Sequence, residues 1–518
     1  MSVVAGAVQI DAGVVVGNRS VSTADLQLHA LRAASGFAVL GVQAGDAVAL
    51  LMRNDIPFLE ATIAAGAVGA YAVPVNWHCG VEELAFILEH SEAKVLVVHA
   101  DLLRSLENAI PSAVGVLVVE TPEDIAAAFG IDSSARQVDP ARSEWTSWRD
   151  AHEPWEGERT PTPFSVIYTS GTTGRPKGVK RAPLGSEQQE AVVRLTSKLL
   201  GVAPGARMLI TAPLYHSSAN AAALMAVQMG ALAVLQPRFD PEELLALVER
   251  HRITTMTVVP TMLVRLLKLP AETRSRYDLQ SLVHVSHTAA PCPPDVKRQI
   301  IDWWGPVINE YYGSTETGAV TFCTSHEWLA HPGTVGKALD HAVVRVLDDD
   351  RNEQPSGVPG EIFVRLTSFS DFTYDKEEQR RLDIEVHGLV TCGDVGFLDD
   401  DGYLYLCDRK TDMIIVGGSN VYPAEIESVL LDMPEVQDGA VFGIPDETLG
   451  EVVAAAVQLL PGATADADAV RSYLAGRLPS FKIPRVVDFH EALPREDTGK
   501  VLKRCLREPY WESAGRQI

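Results

Sequence analysis

A loop rich in glycine and hydroxyl residues has the composition of a phosphate-binding site. Residues 164–178 read FSVIYTSGTTGRPKG, an apolar strand pattern followed by a turn-rich segment that contains Lys177. The hydroxyl-bearing residues of this segment include Thr169, Ser170, Thr172 and Thr173. Glycines let the backbone approach a phosphate closely, while amides and hydroxyls donate hydrogen bonds and the lysine supplies positive charge. We therefore expect this loop to bind phosphate.

Two other interpretations of this loop are weaker. The string lacks the Walker pattern GxxxxGK[ST], which disfavours a P-loop nucleoside triphosphatase. An ordinary surface turn would explain any four Gly, Ser or Thr residues, but not an ordered string of eleven residues that also ends in a lysine and a glycine.

Further segments with chemically useful residues follow along the chain. They are APLYHSSA at 212–219, EYYGSTETG at 310–318, GEI at 360–362, TCGDVGFLDDDGYLYLCDRKTDMIIVGGSNVYPAEIE at 391–427 and PREDTGK at 494–500. Together with YTSGTTGRPKG, they resemble the ordered motifs of the adenylate-forming superfamily, which includes acyl-CoA synthetases, peptide-synthetase adenylation domains and firefly-type luciferases. The resemblance covers nearly the whole chain and points to the acyl-CoA synthetase, or fatty-acid–CoA ligase, branch.

This resemblance implies a two-step ligase. A carboxylate oxygen attacks the α-phosphate of ATP to give acyl-AMP and pyrophosphate, and coenzyme A then gives acyl-CoA and AMP. Negative charge develops on the phosphoryl oxygens and on the departing pyrophosphate, so cations and hydrogen-bond donors must converge there. The implied substrates are a carboxylic acid, ATP and coenzyme A, and the implied metal is Mg²⁺.

The resemblance also implies which residues bind the nucleotide. Around the phosphates they are Thr169, Ser170, Gly171, Thr172, Thr173, Gly174 and Lys177, and around the rest of the nucleotide Ala290, Tyr312, Gly313, Thr315, Asp394 and Arg409. Thr315 is expected to contact the α-phosphate, and Tyr312 to stack on adenine. Asp394, in a Gly-Asp turn, would accept hydrogen bonds from both ribose hydroxyls, with Arg409 at the same ribose. For Tyr312 the alternative is an aromatic residue of the core.

Four residues are expected to act in catalysis, namely Lys500, His216, Glu316 and Thr315. In the family, the lysine matched by Lys500 bridges the carboxylate and the α-phosphate, although a C-terminal lysine taken alone is usually a surface residue. Glu316 would bind Mg²⁺, which prefers hard oxygen ligands, and the alternative is a solvated glutamate in a turn. His216 would lie beside the acyl and phosphate groups, although a lone histidine is more often part of a core.

The remaining site residues are implied for the second step and for the acid. Gly417, Gly418 and Lys482 would line the coenzyme A face, with a solvated lysine an equal alternative for Lys482. The hinge position, usually Asp or Lys in relatives, is Thr411, a stiffer β-branched residue.

The acyl pocket is expected around His216, Thr288 and Ala289. Residues 288–291 read Thr-Ala-Ala-Pro where relatives commonly carry Gly-Gly-Ala-Pro, so the added volume predicts a pocket of different depth or direction. The small residues of ANAAALMAVQM at 219–229 leave room for the acyl group, and this segment has no basic residue to pair with a second carboxylate of the substrate. An apolar monocarboxylic acid is therefore favoured, either a medium- or long-chain fatty acid or an aromatic or alicyclic acid.

The elements that must position these residues alternate along the chain. Apolar, β-branched runs such as DAVALLM at 46–52 and KVLVVHA at 94–100 alternate with helical patterns such as 241–251. This alternation predicts an α/β fold with mostly parallel sheets. After about residue 340, shorter alternating runs predict an antiparallel sheet or barrel, and the last 110 or so residues predict a small α+β unit. Residues 143–163 are expected to form an irregular surface connection.

We therefore expect two domains. Residues 1–408 would form a large N-terminal domain for AMP and acyl binding, built of two mostly parallel α/β subdomains and a β-barrel-like subdomain. Residues 409–518 would form a small mobile α+β domain that carries the catalytic lysine and the coenzyme A face.

Composition excludes several other classes of protein. The 518 residues include 44 Lys and Arg against 68 Asp and Glu, a net charge of −24, which disfavours binding to nucleic acid or to anionic lipid. The apolar run at 219–235 is too short and too polar for a membrane span and predicts a buried helix that leads into a strand. Six scattered cysteines without a CxxC pair indicate reduced thiols in a cytoplasmic protein. A homodimer is compatible with the resemblance.

Three alternatives to an acyl-CoA synthetase stay open. Loading of a carrier protein would need a separate partner, because only 18 residues follow Lys500. A luciferase-like oxygenase would emit light from an adenylate. A non-catalytic acyl-AMP or nucleotide sensor would have no need for a mobile lysine together with Lys177, Glu316, Asp394 and Arg409.

Overall fold

The computed structural model describes residues 10–158, 162–169, 176–417, 419–495 and 501–513. The strands are β1 (Gly13–Val16), β2 (Arg19–Ser22), β3 (Ala47–Leu51), β4 (Tyr71–Pro74), β5 (Ala93–His99), β6 (Gly115–Val119), β7 (Ser143–Glu144), β8 (Ile167–Thr169), β9 (Lys177–Arg181), β10 (Arg207–Ile210), β11 (Leu232–Leu235), β12 (Thr255–Val258), β13 (His284–His287), β14 (Ile308–Ser314), β15 (Gly318–Cys323), β16 (Thr334–Ala338), β17 (Ala342–Leu347), β18 (Gly360–Leu366), β19 (Phe372–Tyr374), β20 (Glu385–Val386), β21 (Leu389–Leu398), β22 (Tyr403–Arg409), β23 (Ile414–Val416), β24 (Ser419–Val421), β25 (Val436–Asp446), β26 (Gly450–Leu459) and β27 (Val486–Phe489). The helices are α1 (Thr23–Val39), α2 (Ile56–Ala67), α3 (Val81–His90), α4 (Ala100–Leu106), α5 (Glu123–Phe129), α6 (Ser133–Arg136), α7 (Trp145–Asp150), α8 (Ser186–Leu200), α9 (Ser217–Gln228), α10 (Pro241–His251), α11 (Pro260–Leu267), α12 (Ala271–Arg274), α13 (Pro294–Trp304), α14 (Ser325–Ala330), α15 (Glu378–Asp383), α16 (Pro423–Leu431), α17 (Ala467–Ala475) and α18 (Lys503–Ser513), with short 3₁₀ turns at Glu107–Ala109 and Ser480–Lys482.

The first sheet is fully parallel and has the strand order β4-β3-β5-β6-β7. Every residue of β3 is buried, as expected for a parallel strand that is covered on both faces. Val48 and Leu50 pack into one hydrophobic cluster, while Ala47, Ala49 and Leu51 pack into another on the opposite face. The uninterrupted apolar run DAVALLM therefore reflects burial from both sides.

The second sheet is long and changes character along its length. The strands from β11 through β10, β12 and β13 to β14 pair in parallel, and β1 adds to the β11 edge in parallel. From β14 onward through β15, β16, β22, β21, β18 and β17 the pairing is antiparallel. This confirms the predicted α/β fold, although the antiparallel pairing begins at β14 and β15, earlier than the predicted change after about residue 340. Because parallel strands end at one edge, the residues that follow Ile210, Val258, His287 and Ser314 lie together there.

Two smaller sheets complete the fold. A three-stranded antiparallel sheet, in the order β19-β9-β8, carries the residues on both sides of the predicted phosphate loop. Strands β23 to β27 form a separate sheet, with α16 and α17 on one face and α18 near the other. Its two faces pack into two hydrophobic clusters of their own, so the last part of the chain has a core independent of the long sheet.

The connection at 143–163 differs from the prediction of an irregular surface segment. It begins with β7 and α7, and the Trp145 side chain is completely buried. The indole nitrogen of Trp145 donates to Glu60 Oε2 at 2.8 Å, and Arg149 Nη1 donates to the same carboxylate. A buried carboxylate on α2 thus attracts polar atoms of a segment that composition alone would leave in solvent.

Other predictions about single segments are confirmed. The run at 219–235 forms α9 followed by β11, and within the described ranges no helix is long and apolar enough to cross a membrane. All six cysteines are free thiols.

Candidate active site

Seven of the predicted site residues lie outside the described ranges. They are Ser170, Gly171, Thr172, Thr173, Gly174, Gly418 and Lys500. The two ends of the phosphate loop are described, because Thr169 and Lys177 face each other as partners across β8 and β9. The pairing of β8 with β9 therefore brings the two ends of the loop next to each other.

The motifs that contain His216 and Thr315 are distant in sequence but meet, through Ser217, at the edge where the parallel strands end. His216 caps the N-terminus of α9, and its amide donates to the carbonyl of Pro213 at 3.1 Å. The next residue, Ser217, has its hydroxyl 3.1 Å from the Thr315 hydroxyl. The loop after β10 and the turn after β14 are thus linked by a side-chain hydrogen bond.

Asn54 holds the loop that carries His216, and the sequence analysis missed it. Its amide nitrogen donates to the carbonyls of Ala212 and Gln236, both at 3.0 Å, and its carbonyl oxygen accepts from the amide of Leu214 at 2.8 Å. Asn54 is 2% exposed and follows β3 of the other sheet. It therefore ties the two parallel sheets together directly behind His216. The signal in the sequence was an uncharged amide three residues after the end of an apolar strand.

Thr315 and Glu316 lie in a tight turn between β14 and β15. The amides of Ser314 and Thr317 donate to each other's hydroxyl oxygens at 3.0 and 3.1 Å. A Cβ on Gly313 would lie 2.0 Å from the carbonyl oxygen of Gly318, so only glycine fits there. Gly313 therefore allows the close approach of the two strands at this turn.

Two residues that the sequence analysis did not single out surround Glu316. The hydroxyl of Tyr374, on β19, donates to Glu316 Oε1 at 3.2 Å, and the Lys177 ammonium lies 5.1 Å from the centre of the Tyr374 ring. Arg181, at the end of β9, donates to the backbone carbonyls of Thr315 and Glu316. Lys177 and Glu316 are therefore neighbours across a single aromatic ring.

Three predicted nucleotide-binding residues form one cluster. The Tyr312 hydroxyl donates to Asp394 Oδ2 at 2.7 Å, and Arg409 Nε lies 3.5 Å from Asp394 Oδ1. Asp394 and Arg409 are partners across β21 and β22. Burial and the adjacent carboxylate raise the pKa of Tyr312, so its hydroxyl remains a donor. A polar group for a ribose and an aromatic ring for a base thus lie side by side.

The described residues fit a metal that arrives with the nucleotide. Within these ranges, no group of three or more His, Cys, Asp and Glu side chains could hold a metal ion by itself. Glu316 offers one carboxylate, which accepts from the hydroxyl of Tyr374, and Lys177 lies over the ring of the same tyrosine. Mg²⁺ is commonly held by one or two carboxylates together with substrate phosphates and water, so a single carboxylate suffices.

The predicted acyl wall follows β13. Thr288, Ser218 on α9 and Tyr311 on β14 are each partly exposed, and the hydroxyls of Thr288 and Ser218 lie within hydrogen-bonding reach of the Tyr311 hydroxyl. Burial raises the pKa of Tyr311 to about 12, so this residue is neutral at physiological pH. Tyr311 lies next to the predicted wall, and the sequence analysis did not name it because its neighbour Tyr312 drew the assignment.

Ala289 adopts a left-handed backbone conformation, with φ of 77°. Relatives commonly carry glycine here, and a Cβ is unfavourable at this φ. We expect Ala289→Gly to raise the free energy of unfolding by about 0.5–1 kcal/mol, measured by urea denaturation. Ala290→Gly, at a neighbour without a positive φ, is the control and should lower stability instead. A loss of stability in both variants would contradict strain at Ala289.

The described residues that were predicted for the second step lie between the strands of the last part of the chain, with Gly417 between β23 and β24 and Lys482 in the 3₁₀ turn Ser480–Lys482. Gly417 has φ of 56°, and its amide donates to the carbonyl of Leu449 at 2.9 Å. Lys482 forms an ion pair with Glu425. Thr411 lies in the turn between β22 and β23, where its carbonyl accepts from Arg507 of α18 at 3.2 Å.

Comparison with known proteins identifies the family. Residues 5–369 match the family of AMP-binding enzymes, and residues 425–500 match the AMP-binding enzyme C-terminal domain. The chain belongs to the AMP-binding enzyme family. This confirms the predicted membership of the adenylate-forming superfamily in its CoA ligase branch.

Similar proteins support the enzyme class. A long-chain-fatty-acid–CoA ligase, FadD13 of Mycobacterium tuberculosis, is 32% identical over 486 residues, which cover 93% of this chain and 92% of that protein. A feruloyl-CoA synthase of an Amycolatopsis species is 32% identical over 496 residues, 95% of each chain. The structure of the amide bond synthetase McbA from Marinactinospora thermotolerans matches with a TM-score of 0.82 and 27% identity, covering 96% of this chain and 97% of that one. The predicted class, an AMP-forming acid–thiol ligase, is confirmed for this AMP-binding enzyme.

Proposed function

We propose that this AMP-binding enzyme is an ATP-dependent acyl-CoA synthetase that acts on an apolar monocarboxylic acid. The observation that carries the proposal is the convergence of His216, Thr315, Glu316 and the Tyr312–Asp394–Arg409 cluster on the strand ends. A site for a ribose beside a site for a triphosphate is what acyl-AMP formation requires.

In the first step, the acid's carboxylate oxygen bonds to the α-phosphorus of ATP while pyrophosphate leaves. Lys177 offsets the charge of the phosphates, and Thr315 donates to the α-phosphate. Tyr312, Asp394 and Arg409 hold the nucleoside. Mg²⁺ held by Glu316 and the triphosphate would neutralise charge on the leaving group.

In the second step, the thiol of coenzyme A attacks the acyl carbonyl and AMP leaves. We propose that residues 409–518 act as a unit that rotates about Thr411. The rotation would move Lys500 out of the active site and bring the face that bears Gly417 and Gly418 into it. To meet a phosphate of coenzyme A in this step, Lys482 would have to leave its ion pair with Glu425.

The substrate class follows from the wall of the acyl pocket. Thr288 and Ala289 add side-chain volume where the family motif has glycines, which favours a compact aromatic or alicyclic acid over a long unbranched chain. A feruloyl-CoA synthase and a long-chain-fatty-acid–CoA ligase are about equally similar to this chain, so similarity alone does not choose between these acids.

Thr288→Gly should shift the preference toward bulkier or longer acids. Removing the side chain opens the wall next to Tyr311 and Ser218, and a change of one to two carbon atoms in a pocket alters kcat/KM by roughly tenfold or more. The measurement is kcat/KM across a chain-length series and a set of aryl acids. Thr448→Gly, at an exposed threonine of the C-terminal unit, is the control. Unchanged relative kcat/KM would remove Thr288 from the pocket wall.

The function is tested by incubating the protein with ATP, Mg²⁺ and a panel of fatty, aryl and alicyclic acids, with and without coenzyme A. Mass spectrometry should detect acyl-CoA with a matching amount of AMP. Pyrophosphate and bound acyl-AMP without acyl-CoA would instead indicate a separate carrier protein or another acceptor, and no ATP use would indicate a sensor.

The setting of the protein is also part of the proposal. Six free thiols fit a reducing compartment, and we propose a cytoplasmic location. We also propose a homodimer, which light scattering would test.

A further inference from the structure

Glu316 is held from two sides by residues that have no role in the steps above. On one side the Arg181 guanidinium donates to the carbonyls of Thr315, at 3.4 Å, and of Glu316, while its other terminal nitrogen donates to the carbonyl of Ser370. One side chain therefore fixes the backbone of the catalytic turn and of the segment that leads into β19. Arg181 also ends the strand that begins with Lys177.

On the other side, Tyr374 holds the carboxylate itself. Its hydroxyl donates to Glu316 Oε1 at 3.2 Å, and its ring faces the Lys177 ammonium at 5.1 Å. The register of the small sheet fixes this arrangement, because Tyr374 pairs with Val179 and Phe372 pairs with Arg181. Burial and the adjacent carboxylate raise the pKa of Tyr374, so the hydroxyl stays protonated.

The surroundings of Arg181 indicate a positioning role. Its guanidinium lies 5.6 and 5.8 Å from the rings of Phe369 and Phe372, and burial lowers its pKa to about 10. Asp371, one of two carboxylates whose charge acts on Arg181, is already paired with Arg381 at 2.9 Å. Arg181 and Glu316 both line a cavity of about 100 Å³. Burying this cation costs solvation free energy. Because it donates to carbonyls of two segments, it can hold those segments at a fixed distance from each other.

We propose that Arg181 and Tyr374 form a clamp that sets the position of the Glu316 carboxylate relative to Lys177, and thereby the use of Mg²⁺ with the triphosphate. This rests on the proposed function, in which Glu316 and Lys177 serve the first step. Both are positioning residues, since neither is assigned a contact with the acid or the α-phosphate. The clamp should matter for adenylation and not for thioester formation from supplied acyl-AMP.

Tyr374→Phe tests the clamp because it removes only the hydroxyl. Tyr405→Phe is a matched control, since the Tyr405 hydroxyl also donates to a carboxylate, Asp399, at 3.2 Å, but at a hairpin tip. ATP–pyrophosphate exchange is measured against Mg²⁺ concentration, together with the thermal midpoint. We expect Tyr374→Phe to raise the half-saturating Mg²⁺ concentration about threefold to tenfold at an unchanged thermal midpoint, as one charge-assisted hydrogen bond would. Tyr405→Phe should change neither quantity.

A second readout separates this proposal from the proposed function. Calorimetry measures ATP affinity with and without Mg²⁺, and the gain that Mg²⁺ brings should be smaller in Tyr374→Phe than in the wild type. The clamp would be overturned if Mg²⁺ increased ATP affinity equally in Tyr374→Phe and in the wild type. It would also be overturned if Tyr374→Phe lost adenylation and thioester formation to the same extent. If the wild type binds ATP with Mg²⁺ but activates no acid, the proposed function fails while the calorimetric comparison still decides the clamp.

Arg181→Lys keeps the charge but loses the planar fork that reaches several carbonyls. It should raise the half-saturating Mg²⁺ concentration in the same direction. We expect the double variant Arg181→Lys, Tyr374→Phe to raise the half-saturating Mg²⁺ concentration by less than the product of the two single increases, because both residues act on Glu316. Fully multiplicative effects would mean that the two residues act independently and would contradict a shared clamp.

Discussion

Lys500→Ala is expected to reduce acyl-AMP formation by roughly 10²–10³-fold and to leave thioester formation from supplied acyl-AMP nearly unchanged. A cation between the attacking carboxylate and the α-phosphate offsets charge that develops only in the first transition state. ATP–pyrophosphate exchange measures the first step, and release of AMP from supplied acyl-AMP with coenzyme A measures the second.

The described residues on the two sides of 496–500 lie close together. Arg495 and Val501 form a β-bridge, and the amide of Leu502 donates to the carbonyl of Pro494 at 2.8 Å. Arg495 also pairs with Asp438, and the adjacent carbonyl of Gln437 accepts from Lys268, which follows α11 of the large unit, at 2.7 Å. Arg495, which precedes the segment that contains Lys500, therefore lies near the end of α11.

The control is Lys94→Ala, the same substitution at an exposed position of β5. It should leave both steps at the wild-type rate. Equal loss of both steps in Lys500→Ala would contradict the assigned role, because a lysine needed only for folding or for general nucleotide binding would affect each step.

Asn54→Ala is expected to lower the free energy of unfolding by roughly 3–5 kcal/mol. The substitution leaves three buried backbone groups without their side-chain partner, namely the carbonyls of Ala212 and Gln236 and the amide of Leu214. Each buried polar group without a partner costs about 1–3 kcal/mol. Denaturant unfolding followed by circular dichroism measures the change.

The same substitution should slow acyl-AMP formation in the fraction that remains folded. The loop at 212–216 carries His216, and without Asn54 this loop loses its tie to the first sheet. Asn352→Ala, at an exposed asparagine that bonds only to nearby Asp348, should change stability by less than about 0.5 kcal/mol. Equal stability of the two variants would show that water replaces the Asn54 contacts.

Much of the fold was readable from local pattern. The helix expected at 241–251 is α10 with these bounds, because Asp240 caps its first turn by accepting from the amide of Glu243 at 2.8 Å, and Pro241 suits the first helical position. DAVALLM forms β3 for a similarly local reason, since a short β-branched and apolar run suits a strand that is covered on both faces.

The prediction failed where a distant side chain decided the outcome. Residues 143–163 contain charges, prolines and tryptophans, a composition typical of a surface connection. The buried Glu60 carboxylate, more than eighty residues earlier, binds Trp145 and Arg149 and draws α7 inward. Composition within a segment cannot report such a partner.

The sequence by itself determined the family, the chemistry and the α/β fold, because motif strings and strand periodicity are local along the chain. Only the tertiary structure decided which residues support that chemistry from outside the motifs: Asn54 behind His216, Tyr311 beside Thr288, and Arg181 and Tyr374 around Glu316. The physical reason is that a hydrogen bond depends on distance in space. Phe372 and Tyr374 pair with residues of β9, which lie almost two hundred positions earlier in the chain, and no local pattern specifies this strand pairing.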